Sequence, residues 1–147
     1  MATISGALFE RNEAGSYGGA IDMHNAMASI TKTIFKQNYA TIGGAIRMDT
    51  TSMIFIHATV FDRNQADSGG AICLVGAGTI ASIKSTVFTR NSCICSPFSE
   101  GGAIKMGEGT MASIIATFFD WNLAINYNHF HVTSAAEIYI YDIKFYP

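Results

Sequence analysis

The sequence predicts an all-β fold: a right-handed, single-stranded parallel β-helix of about 26 residues per coil, with five to six coils over residues 1–147. Three observations lead there. The hexamer GGAIDM at 18–23 returns as GGAIRM at 43–48, GGAICL at 69–74 and GGAIKM at 101–106. A second word, Phe-x-x-Asn, starts at Phe9, Phe35, Phe61, Phe88 and Phe119, so that its spacings are 26, 26, 27 and 31 residues. Between these words the apolar residues follow a period of two, and no helical run intervenes. Units this short cannot bury an inner face alone, so they must stack coil on coil. The right hand follows from the general preference of connections between parallel strands.

Each unit begins with a strand in which Ala28 and Ile30, or Ile54 and Ile56, alternate with polar residues; Ile4, Ile30, Ile56, Ile83 and Ile114 all stand five residues before a Phe. Thr33, Thr59, Thr86 and Thr117 stand two before it. The Phe word is the second strand and ends at Asn. In a stack, Phe9, Phe35, Phe61, Phe88 and Phe119 form an inner apolar column. Asn12, Asn38, Asn64, Asn91 and Asn122 form a corner ladder, where Asn tolerates the left-handed region and its amide bonds the Asn above and below. Ala14, Ala40, Ala66, Cys93 and Ala124 follow in an interior slot.

The Gly pair marks the next corner, where a positive φ or a close backbone approach is needed. The third strand follows it, with Ile21, Ile46, Ile72 and Ile104 inside. The slot after each Ile holds Asp22, Arg47, Cys73 or Lys105 and reads as solvated. The extra residues of the fourth unit fall at 92–100, SCICSPFSE, an expected surface loop. The closing IYIYDIKFYP keeps the frame, with Ile140 five before Phe145.

Composition supports one core-rich domain: 49% hydrophobic and 14% charged residues, with no linker. A net charge of −2 gives no case for nucleic acid or an anionic membrane, and no apolar run is long enough to span a bilayer. No signal peptide precedes Ile4, and neither end carries a polar cap. The expectation is therefore a piece of a longer solenoid, able to self-associate through uncapped ends.

The paired words GGAI and Phe-x-x-Asn, covering nearly the whole chain, resemble the repeats of the chlamydial polymorphic outer-membrane proteins and of related right-handed β-helix repeat proteins. The resemblance implies the surface-exposed passenger of an autotransporter, displayed as an adhesin at the outer membrane or cell surface. The final unit departs from the pattern, with Tyr127, Asn128, His129 and Phe130 where GGAI is expected.

For ligands, the outward slots after each Phe place Arg63 and Arg90 in adjacent coils, close enough to repel unless Asp62 or an anionic ligand such as a sulfated or uronic sugar shares the site. Arg63, Arg90 and Trp121, with Tyr139 and Tyr141 of the last unit, are the candidate ligand face for a protein or glycan partner. The alternative class is a polysaccharide-active enzyme or carbohydrate-binding module, since parallel β-helices include pectin lyases and polygalacturonases. That chemistry needs grouped carboxylates, and Asp22 with Asp49 has no third acid in the next coil. His129 and His131 would share a strand face but lack a third ligand, while His24 and His57 stand alone, so no metal or other cofactor is expected. Cys73 and Cys95 are conceivable disulfide partners in adjacent coils, leaving Cys93 as a small core residue.

Overall fold

A computed structural model describes residues 1–93, 99–126, 129–133 and 136–146, with the backbone alone at Tyr146. The described residues form a parallel β-solenoid with three walls and no helix. The first wall has six strands, Ala2–Ser5, Met27–Thr31, Met53–His57, Ile80–Lys84, Met111–Ile115 and Glu137–Tyr141. The second also has six, Leu8–Glu10, Ile34–Lys36, Val60–Asp62, Val87–Thr89, Phe118–Asp120 and Lys144–Tyr146. The third has five, Ile21–His24, Ile46–Asp49, Ile72–Leu74, Ile104–Met106 and Phe130–Val132. All pairings are parallel and in frame, so Ile30 faces Ile56, Phe61 faces Phe88 and Ile46 faces Ile72. The closing unit keeps this register, with Ile114 opposite Ile140 and Phe119 opposite Phe145.

The strands of the first two walls are short because a residue in the left-handed region follows each one that the chain continues from. Lys32, Ala58, Ser85 and Ala116, with φ of 50°, 51°, 51° and 48°, turn the chain out of the first wall. The Thr that follows points inward and is buried, and its hydroxyl donates to the carbonyl two residues back: Thr59 Oγ1 to His57 O at 3.1 Å, Thr86 Oγ1 to Lys84 O at 2.9 Å. A buried hydroxyl is thereby satisfied within its own turn. Inside, the rings of Phe9, Phe35, Phe61, Phe88 and Phe119 stack with centroids 4.7–4.9 Å apart and planes within 4° of parallel.

The Asn corner differs from the expectation in one respect. The left-handed residue is the one before each Asn, namely Arg11, Gln37, Arg63, Arg90 and Trp121, with φ between 50° and 55°. The Asn itself is needed for its carboxamide. Asn64 Nδ2 donates to Asn91 Oδ1 at 2.9 Å and to Phe35 O at 3.0 Å, while its Oδ1 accepts from the Asn38 backbone N–H at 3.0 Å and from Asn38 Nδ2 at 2.9 Å. The second strand also ends two residues earlier than expected, at Asp62 in the third unit.

The two glycines of each GGAI word have separate reasons. Gly43, Gly69 and Gly101 have φ of 67°, 65° and 70°. Their neighbours Gly44 and Gly70 lie under the next coil: a Cβ on Gly44 would overlap the carbonyl oxygens of Gly70 and Gln65. Gly44→Ala is therefore expected to cost more than the roughly 1–3 kcal/mol of ordinary overpacking, because the obstacle is backbone. A thermal melt should show the midpoint lowered by about 10 °C or more.

After the Gly pair, two consecutive residues face inward. Ala71 O accepts both the Ala45 N–H at 2.9 Å and the Ile46 N–H at 3.0 Å, and Ala45 and Ile46 are both fully buried. Of the loop expected at 92–100, Ser92–Cys93 pairs with Leu123–Ala124, Ser99 is buried and Glu100 bridges Ser68 and Asn126, so these positions belong to the coil. Residues 94–98 lie outside the described part.

Candidate functional site

The inward side chains are committed to the stack, so chemistry can reside only on the outer faces. Two polar clusters occupy the outer face of the third wall, and a column of long side chains runs up the corner after the second.

In the first cluster, register places Asp22 beside Arg47. Arg47 Nη1 donates to Asp22 Oδ1 at 3.1 Å, Nη2 donates to Asp49 Oδ2, and the guanidinium lies over the Tyr17 ring at 4.1 Å. His24 Nδ1 is 3.7 Å from the same Asp49 oxygen. Asp22 is exposed, as the alternation suggested for this slot, but Arg47 in the same slot is not solvated: its side chain is only 12% exposed. Burial by itself opposes charging of Arg47, but bonds to both carboxylates outweigh it and raise its pKa. Burial likewise raises Asp49, and bonds from Thr50 and Arg47 outweigh it, holding Asp49 below its ordinary 3.8. Asp22 and Asp49, the acids an enzyme reading would use, are thus both tied to one Arg.

Cys73 follows Arg47 in the same column and is fully buried, which corrects its expected outward exposure. The chain entering the Gly corner lies over it, with Ser68 Oγ 3.9 Å from its Sγ. Burial pushes the Cys73 and Cys93 thiols up to about 11, so both are protonated and poor nucleophiles at neutral pH. Both are free thiols, and Cys95, the expected partner of Cys73, lies outside the described residues.

The second cluster joins the last two coils. Glu100 Oε2 lies 3.0 Å from Lys105 Nζ and 2.9 Å from His131 Nδ1. His129 does not share a face with His131, contrary to the sequence reading. It occupies the inward Ala slot of GGAI, its carbonyl accepting from Ala103 and Ile104, and its ring packs against Phe145 at 5.2 Å and Phe119 at 6.2 Å. No group of three metal-ligating side chains forms among the described residues.

Burial among these rings lowers the His129 pKa from its ordinary 6.5. A depressed pKa means that the unfolded chain binds the proton first, so this contribution is present above pH 6.5 and is lost as pH falls through the lower folded value. The depressed Asp49 acts in the same direction further into acid, below 3.8. Thermal midpoints are expected to fall in two steps on acidification, and His129→Ala, which restores the residue of the other coils, should remove the first step only.

The corner after the second wall carries Arg11, Gln37, Arg63, Arg90 and Trp121, all exposed. Arg11 Nε donates to Gln37 Oε1 at 3.3 Å. Arg63 Nη1 donates to Asp62 Oδ2 at 2.9 Å, which offsets the repulsion between Arg63 and Arg90. Five successive non-Gly residues in the left-handed region cost on the order of 1–3 kcal/mol each. Tyr139 and Tyr141 lie elsewhere, outward on the last strand of the first wall, at 62% and 74% exposure. The candidate ligand face therefore divides into two separate surfaces.

A three-walled parallel solenoid with inward Phe and Asn ladders defines the class of protein. Within it, residues 58–74 match the Chlamydia polymorphic membrane protein (Chlamydia_PMP) repeat. That segment runs from the left-handed Ala58 through the strand Val60–Asp62, the Asn64 corner and the Gly pair to the end of the third-wall strand Ile72–Leu74. No curated protein and no solved structure matches the chain. No helix among the described residues is long and apolar enough to cross a membrane.

Proposed function

We propose that this solenoid is a surface-displayed, non-catalytic recognition segment of adhesin type, which offers its outer faces to a protein or glycan partner. The observation that carries the reading is the match of residues 58–74 to a polymorphic membrane protein repeat, a unit whose ladders recur from coil to coil along the chain. The physical argument agrees with it. The recurring residues are spent on the interior, whereas outward columns such as Glu10, Lys36, Asp62, Thr89 and Asp120 change chemistry at each coil. A scaffold of constant core and variable skin suits recognition by shape and side-chain stripes.

The test uses intact cells of the source organism. Antibody raised against residues 1–147 is expected to label them without permeabilisation, and external protease should remove the signal. Labelling that appears only after permeabilisation would overturn surface display. Purified protein is also expected to bind a host-cell monolayer saturably and to release no reducing ends from uronic or sulfated polysaccharides; release of such ends would make it an enzyme.

A further inference from the structure

Every coil spends left-handed residues on its corners, and the types chosen there differ. The GGAI corner uses Gly43, Gly69 and Gly101, and the corner after the first wall uses mostly small residues such as Gly6, Ala58, Ser85 and Ala116. The corner before the Asn ladder instead keeps Arg11, Gln37, Arg63, Arg90 and Trp121 at φ of 50° to 55°. Asn and Gly adopt this conformation most readily. Left-handed non-Gly residues also stand after the first wall, at Lys32, Ala58, Ser85, Ala116 and Asp142, so what sets the second corner apart is its run of long, exposed side chains on that backbone.

The chemistry of the column is uniform as well. Four of its five members present planar N–H donors on long stems, and the fifth is an indole that is 64% exposed. Their backbones are fixed, because Arg63 N donates to Thr89 O and Arg90 N donates to Asp120 O, each at 2.9–3.0 Å. The coil rise, about 4.8 Å, is therefore imposed on the backbone positions from which the donors project. A guanidinium carries five N–H groups in a fork that matches a carboxylate. Arg63 commits one to Asp62, and Arg90 has no carboxylate partner among the described residues. Nearby acids do not fill the gap, since Glu10 is paired with Lys36 at 2.8 Å and Asp62 with Arg63. Asp120 stands half-buried one residue before Trp121.

We propose that this corner is a binding track for a uronic-acid polysaccharide, in which Arg63 and Arg90 take carboxylates and the Trp121 indole stacks on a sugar ring. The proposal deepens the surface-recognition reading and rests on it. A linear chain suits the column because its carboxylates recur along one edge, as the donors do. Leu123, two residues on, is also exposed, at 51%.

The test sets binding against stability in the whole chain. Wild type, Arg90→Asn, Trp121→Asn and the control Ala58→Gly are titrated with oligogalacturonate, neutral dextran and dextran sulfate. Oligogalacturonate is expected to bind and to weaken with salt, with at least a tenfold loss in Arg90→Asn and Trp121→Asn and none in Ala58→Gly. The melting midpoint of Arg90→Asn should stay level or rise, because Asn suits the left-handed backbone. No binding by wild type, binding undiminished in Arg90→Asn, or a lowered Arg90→Asn midpoint would each overturn the track. Dextran sulfate bound as tightly, without dependence on Trp121, would overturn the carboxylate assignment. Saturable cell binding that Arg90→Asn leaves intact sinks the track alone, whereas absence from the cell surface sinks the surface reading whatever the titration gives.

Discussion

Asn64→Ala is expected to destabilise the chain by about 2–4 kcal/mol, although it removes only a small polar group. Asn64 is fully buried in the third unit and makes four hydrogen bonds with its carboxamide. Removing it leaves one buried backbone group without its partner, the Asn38 N–H, while the Phe35 carbonyl loses one of two donors and keeps its place in the ladder with Val60–Asp62. That orphan costs about 1–3 kcal/mol, and the side-chain bonds lost with it add about 1 kcal/mol more. Other ladder members keep a partner, since Asn91 Oδ1 still accepts the backbone N–H of residue 64 and Asn38 Nδ2 still donates to Phe9 O. Asn64→Asp separates hydrogen bonding from size. Its carboxylate would retain both acceptances but face the Phe35 carbonyl at 3.0 Å and Asn91 Oδ1 at 2.9 Å with no donor. Burial and those oxygens raise its pKa, so stability should be recovered on acidification, opposite in sign to wild type. Urea midpoints at neutral and mildly acidic pH measure both variants; a wild-type midpoint for Asn64→Ala would show that the ladder does not hold the corner.

The inward positions could be read from sequence because stacking forces each to recur once per coil. Phe61, Asn64 and Ile72 have the same neighbours above and below as their equivalents, so substitution in one coil harms two others. Where reading failed, the cause was a corner. Asn is a common left-handed residue, so the positive φ was placed on it; in the fold its carboxamide has to point inward, and the preceding residue takes the turn instead. The types at that preceding residue, Arg, Gln and Trp, carry no sign of such a backbone. His129 and His131 were placed on one face by alternation, but Ala45 and Ile46 both point inward at the equivalent corner. The recurrence of Ala in GGAI was the available signal. Cys73 lost its expected exposure through Ser68, five residues earlier and folded back over it, a contact that alternation along one strand cannot show. Asp22, Arg47 and Asp49 could be placed together from the repeat frame, since Arg47 stands in the slot of Asp22, but the cluster around Glu100 joins His131 of the next coil to Lys105 and had no such signal.

Phe61→Ala should cost about 3–5 kcal/mol, as expected for a buried aromatic that leaves a cavity. Its ring is fully buried and stacks on Phe35 at 4.9 Å and on Phe88 at 4.7 Å, so two stacked contacts worth roughly 0.5–1.5 kcal/mol each go with the lost burial. Phe9→Ala is the comparison, because Phe9 is only half-buried and among the described residues stacks on Phe35 alone. It should cost about half as much or less if stability is a sum over neighbouring coils. The central deletion has a further consequence, since it weakens the contact that couples the units on either side. Amide exchange in Phe61→Ala is then expected to quicken most in the coils of Phe35 and Phe88, and fluorescence of Trp121 should report a transition displaced from that of the backbone signal. Equal losses in Phe9→Ala and Phe61→Ala, with transitions that still coincide, would instead mean that the solenoid melts as one block and that the aromatic column is not what joins its coils.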